Sequence, residues 1–319
     1  MAKETRIGLG MAALGRPDYI NLRTHKNIDK SIKAFRSNAF QVIDKAYALG
    51  IRDFDVAPSY GLGEEFLLDW HKTKQFKDVA FSTKFGYTYM ADWEIGFNGK
   101  HEVKEHSLSK LNEQWDISRA FLPHLNIYQI HSATLESGVL TNNAVLGRLY
   151  QLKKEYGLKI GLSSSGTAQE SIIKTAQEIT FEGEDLFDSF QVTYNIFEQS
   201  TYNILKALIH NHKTVIIKEA LANGRLLHQS SLKTYIPAYD YLQQLEKKYN
   251  VGYDAIAIRF IIDHLKPTIV LSGASNIEQL EQNYKALNFK LTDLEVKQLE
   301  TFMVSKEFYW QERSNLEWN

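Results

Sequence analysis

Phe54-Asp55-Val56-Ala57-Pro58-Ser59-Tyr60-Gly61 is the stretch whose reading decides the fold. An acid, Asp55, ends a short run from Ile51 to Phe54, and Pro58 and Gly61 then bracket a tyrosine. Pro and Gly mark a loop. The pattern therefore predicts a strand that ends at Asp55 and a loop that carries Tyr60. At the C-terminal rim of a parallel barrel, this is where chemistry is placed. The competing reading makes Asp55 a cap of the next helix and Tyr60 a surface ring. The rest of the chain decides between them.

The same unit recurs on both sides. Ile7 to Leu9 reads as a strand, followed by an irregular segment over residues 11–35, a long loop over the mouth of the site. Ala39 to Leu49 carries helical apolar spacing and stops at Gly50. After Asp55 come a helix over Phe66 to His71 and a strand, Val79 to Lys84. A helix is expected over Lys104 to Leu122, then a strand from Leu125 to His131, a helix from Leu146 to Tyr156 and a strand from Lys159 to Ser163. Ala168–Ile179, Tyr202–His210, 236–248, 253–264, Ile277–Leu287 and Leu291–Met303 read as helices. Ser189–Val192, Thr214–Ile217 and Thr268–Leu271 read as strands. Short apolar strands, each followed by a helix, indicate a parallel sheet covered by helices. Eight such units predict an α/β fold, a (β/α)8 TIM barrel, in one domain over residues 1–319 with long rim loops and a C-terminal extension.

Composition narrows the function. A net charge of −1 gives the chain no electrostatic case for nucleic acid or an anionic membrane. The absence of cysteine excludes disulfides and thiolate chemistry and is compatible with a cytoplasmic location. No secretory leader is expected in MAKETRIGLG, and no run is long and apolar enough to span a membrane. His101, His106, His210 and His212 read as solvated, and no metal site is expected.

Three strand ends carry Asp55, Lys84 and His131, with Tyr60 close behind the first. A closed barrel would bring them to one rim. A phenol titrates near about 10, and a neighbouring ammonium favours its ionised form. A buried carboxylate would hold the lysine. A neutral histidine can donate to a carbonyl oxygen while the tyrosine moves the proton. Such a set suits hydride transfer at a carbon–oxygen bond.

In these residues the chain resembles the aldo-keto reductase superfamily. The matching segments are Gly8-Leu9-Gly10, Phe54 to Gly61, Ser82-Thr83-Lys84, Gln129-Ile130-His131, Ile160 to Ser163, and Leu271 to Asn283. The resemblance implies a catalytic tetrad of Asp55, Tyr60, Lys84 and His131, with Tyr60 as general acid or base. It implies a nicotinamide cofactor across the rim, NADP(H) ahead of NAD(H). Asp55, Ser163, Ser164 and Gln191 would serve the nicotinamide end, with Ser163 and Ser164 alternatively capping the next helix. Gly273, Ser275, Gln279 and Asn283 would serve the adenine end. Lys218 stands where many members place an aromatic ring, and Gln279 about where NADP-strict members place an arginine. Tyr60, His131, Tyr87 and Trp93 are the expected substrate contacts; Tyr87, Tyr89, Trp93 and Phe97 form either an aromatic wall or a surface cluster of their own. The tail aromatics Phe308, Tyr309, Trp310 and Trp318 are expected to dock on the barrel exterior rather than close the pocket. The substrate would be a small carbonyl compound or sugar, and the chain a monomer or small homo-oligomer. The alternative function is a cofactor-binding regulatory subunit with little turnover.

Overall fold

The computed structural model describes residues 4–18, 29–227 and 232–316. Asn21, Thr24 and Trp318 therefore lie outside the described residues.

Eight parallel strands close into a barrel in sequence order: Arg6–Gly10, Asp53–Asp55, Ala80–Phe85, Leu125–Ile130, Lys159–Ser163, Ser189–Thr193, Thr214–Lys218 and Ile269–Ser272. Closure pairs the first strand with the last, Leu9 opposite Ser272. Side chains alternate across each strand. In Thr214–Lys218, Val215 and Ile217 join the large core between strands and helices, while Ile216 points into the barrel with Ile127, Ile269 and Leu271. These four form an apolar plug. Above it the register aligns Gly10 with Asp55, Asp55 with Ser82, Lys84 with Gln129, and Ser163 with Gln191. A polar layer thus lies on an apolar one, toward the C-terminal ends of the strands.

The helices bury their apolar faces against the outer side of the strands. Trp70 on Gly63–Lys74 and Trp115 on Leu108–Ser118 are buried there, each contributing about 2–3 kcal/mol by removal from water. Helices 202–210 and 253–264 coincide with the sequence expectation.

Three segments differ from it. The first helix begins at Ile32 rather than near Ala39, because Ser31 caps it by accepting from the Ala34 amide. The helix expected from Lys104 begins at Leu108 behind the Ser107 cap, and Glu102–Lys104 instead pairs antiparallel with Tyr87–Tyr89. The tail forms a helix, Lys306–Ser314, which lies on the loops that follow the sixth and seventh strands. There Asn195 donates to the Tyr309 hydroxyl at 2.9 Å, and the Arg225 guanidinium covers the Tyr309 ring at 4.1 Å. Tyr309 is fully buried at the rim, not docked on the outer wall as expected.

Candidate active site

Asp55 is the centre of the polar layer. Its Oδ2 accepts from Lys84 Nζ at 2.5 Å, and Lys84 also donates to the Val56 carbonyl at 2.9 Å. Its Oδ1 accepts from Ser82 Oγ at 2.6 Å and Gln191 Nε2 at 2.9 Å, with Gln129 Nε2 at 3.4 Å. The Lys84 side chain is fully buried and that of Asp55 is 4% exposed. Removing two charges from water is unfavourable unless each is paired and hydrogen-bonded. Here four donors from three strands meet that requirement.

Tyr60 stands over this pair. Lys84 Nζ is 5.0 Å from its ring centroid, and the His131 ring meets it edge-on at 5.6 Å. The loop carrying Tyr60 is held by close backbone contact with the loop after the first strand. A Cβ on Gly15 would sit 2.2 Å from the Tyr60 carbonyl oxygen. Gly61 has φ +60 and would clash with the Gly15 carbonyl in the same way. Only glycine fits both positions without displacement. The Gly15 carbonyl also accepts from the Leu62 amide at 2.8 Å.

Burial raises the Tyr60 pKa well above that of a free phenol, and the Asp55 charge raises it further, while Arg16 opposes. The shift is opposite to the lowering expected from Lys84, because burial and the Asp55 charge dominate it. Tyr60 is a neutral phenol, poised as a proton donor. Burial and the nearby Lys84, Arg16 and Lys218 cations hold His131 well below the ordinary histidine range, so it is neutral. Its carbonyl accepts from His106 Nε2 at 2.9 Å. His106 is thus an Nε2–H donor; burial lowers its pKa to about 4. His101 and His106 are both buried, in contrast to the expectation that they are solvated: His101 packs on Phe97 within the hairpin, and His106 on Phe85 and Tyr87.

A cleft of about 150 Å³ opens on this group and reaches from Arg16 and Glu102 past Asp55, Tyr60 and His131 to Gly273. Ser163, Gln191 and Lys218 also line it. Ser163 Oγ accepts from the Ser132 amide at 2.8 Å, which binds the loop after the fourth strand. Ser164 lies behind the wall, buried, with no hydrogen bond to its hydroxyl. Lys218 donates to Ser165 Oγ at 2.8 Å and Thr193 Oγ1 at 2.7 Å, and burial lowers its pKa to about 8 despite the opposing Glu219 charge. Burial alone would raise the Glu219 carboxyl; Lys218, Arg313 and Arg225 overcome this and hold it at about 2. Beyond Gly273, Gln279 accepts from the Ser275 amide at 2.9 Å and its hydroxyl at 3.0 Å. Asn283 donates to Ser272 Oγ at 2.8 Å and leaves its own buried Oδ1 without a partner.

One expected substrate contact, Trp93, lies elsewhere. Trp93 packs on Phe35 at 5.4 Å and Phe66 at 6.3 Å and donates to the Lys30 carbonyl at 2.8 Å, away from the cleft. Tyr87 meets the His131 ring at 4.9 Å, but is not among the residues lining the cleft. Phe97 rests on His101 at 5.5 Å. The aromatic residues of the hairpin support the site from behind. Arg16, Glu102, Glu219 and Arg313 line the cleft and were not anticipated from the sequence. Ser82 and Gln129 could have been: each lies two residues before a tetrad member, hence on the same face of its strand.

A sequence model described as the aldo/keto reductase family matches residues 6–303. The chain is similar to the uncharacterized oxidoreductase YqkF of Bacillus subtilis (strain 168), 22% identical over 317 residues and covering 93% of this chain and 92% of that one. It is similar to the NADH-specific methylglyoxal reductase of Escherichia coli (strain K12), 22% identical over 316 residues and covering 91% of each. Among solved structures, it resembles the glycerol dehydrogenase of Gluconobacter oxydans, with a TM-score of 0.69 at 19% identity, covering 94% of this chain and 91% of that one. The holo aldo-keto reductase of Bacillus halodurans gives 0.68 at 20% identity, covering 94% and 92%.

Proposed function

The chain belongs to the aldo/keto reductase family, whose members use nicotinamide cofactors, and we propose that it interconverts a small aldehyde, ketone or aldose with the corresponding alcohol or lactone. The observation that carries this reading is the convergence of Asp55, Tyr60, Lys84 and His131 on one cleft that continues to Gly273.

The residues beyond the tetrad fit a dinucleotide. Asn283 Oδ1, Ser164 Oγ and Gln129 Oε1 are buried acceptors with no hydrogen bond, and a Cβ at Gly273 would meet nothing within 4 Å. Ser163, Gln191 and Lys218 would hold the nicotinamide end, with Ser164 behind them; Gly273, Ser275, Gln279 and Asn283 would hold the adenine end. When bound, the nicotinamide supplies or accepts the hydride. Tyr60 gives the proton to the carbonyl oxygen in reduction and takes it in oxidation. His131, neutral, orients that oxygen by donating a hydrogen bond. Lys84, fixed by Asp55, places a positive charge beneath the phenol and stabilises the phenolate left after transfer. The expected precedence of NADP(H) over NAD(H) gains no support: residues 271–283 carry no Lys or Arg, and Gln279 is committed to Ser275. One relative is named as NADH-specific.

The test is absorbance at 340 nm with NADH and NADPH against aldehydes, ketones and aldoses, in both directions. Tyr60→Phe is expected to retain cofactor binding and lose two to four orders of magnitude in turnover, roughly the contribution of general acid catalysis. Near-normal turnover in that variant would remove the mechanism. Tight cofactor binding by the wild type without turnover would favour a regulatory subunit instead.

A further inference from the structure

Near Tyr60 and His131 the cleft is walled by charged and hydroxyl-bearing side chains: Arg16, Glu102, Ser132, Glu219 and Arg313. Among the described residues, Ala12, Ala13, Leu271 and the rings of Tyr60 and His131 supply its apolar part. Trp93, whose ring would suit a flat apolar substrate, packs on Phe35 and Phe66 instead. Within it, Arg16 and Glu102 form a bond of 2.7 Å. The Arg16 side chain is 3% exposed and that of Glu102 20%, so the carboxylate is the end of the pair that a substrate meets. Arg16 lies 5.4 Å from the Tyr60 ring centroid and donates to the carbonyl of the adjacent Ser59 at 2.9 Å. The pair is therefore anchored beside the proton donor.

We propose that the Arg16–Glu102 pair determines the substrate class of this site, selecting small neutral hydroxylated carbonyl compounds over apolar carbonyls of equal length. The proposal rests on the reading of Tyr60 as the proton donor to the substrate oxygen. A carboxylate offers about four lone-pair sites. Arg16 occupies one side and leaves capacity for a substrate hydroxyl. An apolar chain in the same position would strip water from the carboxylate and return no hydrogen bond, which disfavours it. An anionic substrate group at this wall would meet Glu102 and be repelled. Sites that hydrogen-bond a substrate hydroxyl discriminate strongly against the analogue lacking it. The partial exposure of Glu102 places the expected effect at the low end of that scale.

The experiment compares D-glyceraldehyde with propanal, which share three carbons and differ by two hydroxyls. kcat and KM are measured for the wild type, Glu102→Gln and Glu102→Ala with the better cofactor. The wild type is expected to favour glyceraldehyde at least tenfold in kcat/KM. In Glu102→Ala that ratio falls tenfold or more, mainly through KM for glyceraldehyde. Glu102→Gln, whose amide oxygen still accepts at nearly unchanged size, keeps an intermediate ratio and covers the case in which the alanine variant fails to fold. An unchanged ratio in both variants, with both substrates slowed alike, makes the pair a loop clamp and overturns the proposal. A wild-type preference for propanal overturns it directly while leaving the oxidoreductase reading intact. A wild type inactive on both aldehydes, and on the wider carbonyl panel, defeats that reading and this one with it.

Discussion

Replacing Lys84 with methionine tests the geometry most sharply, because it removes one charge and leaves the rest of the layer in place. Methionine has a similar length and no polar head. The change deletes the bonds from Nζ to Asp55 Oδ2 and to the Val56 carbonyl. Asp55 keeps Ser82, Gln191 and the longer Gln129 contact, all on Oδ1. Its Oδ2 loses its counter-ion in a site that water reaches at only one edge. Stranding one member of a buried pair costs about 3–5 kcal/mol. The three surviving donors argue for the lower half of that range. Urea unfolding followed by circular dichroism gives the loss, each variant being compared with the wild type at the same pH. Asp55→Asn combined with Lys84→Met removes both charges, and the double variant should recover about 2 kcal/mol over the sum of the single losses. Additive losses, or a Lys84→Met loss below about 1 kcal/mol at pH 7, would mean that the pair is not buried against each other and would refute the reasoning.

Acid should weaken the fold through its neutral histidines. His106 has a folded-state pKa lowered to about 4, chiefly by burial, so the unfolded chain binds the extra proton first. Its contribution is present above about pH 6.5 and is lost as pH falls toward 4, roughly 3 kcal/mol in full. His106→Asn should flatten the fall of the urea midpoint across that window, and an unchanged slope would contradict the assignment. Lys218→Ala removes the cation held by Ser165 and Thr193 beside the cleft. It should weaken cofactor affinity, measured by fluorescence titration, about tenfold or more, and equal affinity for both cofactors before and after would count against a contact.

The barrel and its tetrad can be read from the sequence because strand ends announce themselves. Apolar runs give the strands, Pro58 and Gly61 give the loop, and a closed sheet brings Asp55, Lys84 and His131 to one rim without further information. The two-residue period extends this to Ser82 and Gln129. The wall of the cleft cannot be read that way. Arg16 belongs to the first loop, Glu102 to a hairpin, Glu219 to the loop after the seventh strand and Arg313 to the last helix. Nothing in local spacing relates four segments so distant in sequence. Trp93 misleads for a related reason: an aromatic residue on a rim loop can turn either into the mouth or under the loop. Phe35, Phe66 and the Lys30 carbonyl decide for the second.

The tail helix shows how this division shapes the site. Its entry is signalled by Ser305, which accepts from the Phe308 amide, but its destination depends on tertiary partners. Tyr309 is drawn into the rim by Asn195 and Arg225, and one turn later Arg313 reaches Glu219 at 3.1 Å. Glu219 follows Lys218 with a left-handed φ of 53, a conformation that disfavours a side chain. That residue can hold it because Thr193 and Arg313 bind its carboxylate and Asn195 binds its carbonyl. The tail thus fixes a charge beside Lys218 that partly offsets the burial which lowers the lysine's pKa to about 8. The chemistry at the centre of the barrel comes from residues that a strand pattern reveals. The electrostatics at its mouth come from loops far apart in sequence, and the last turns of the chain tie two of their charges in place.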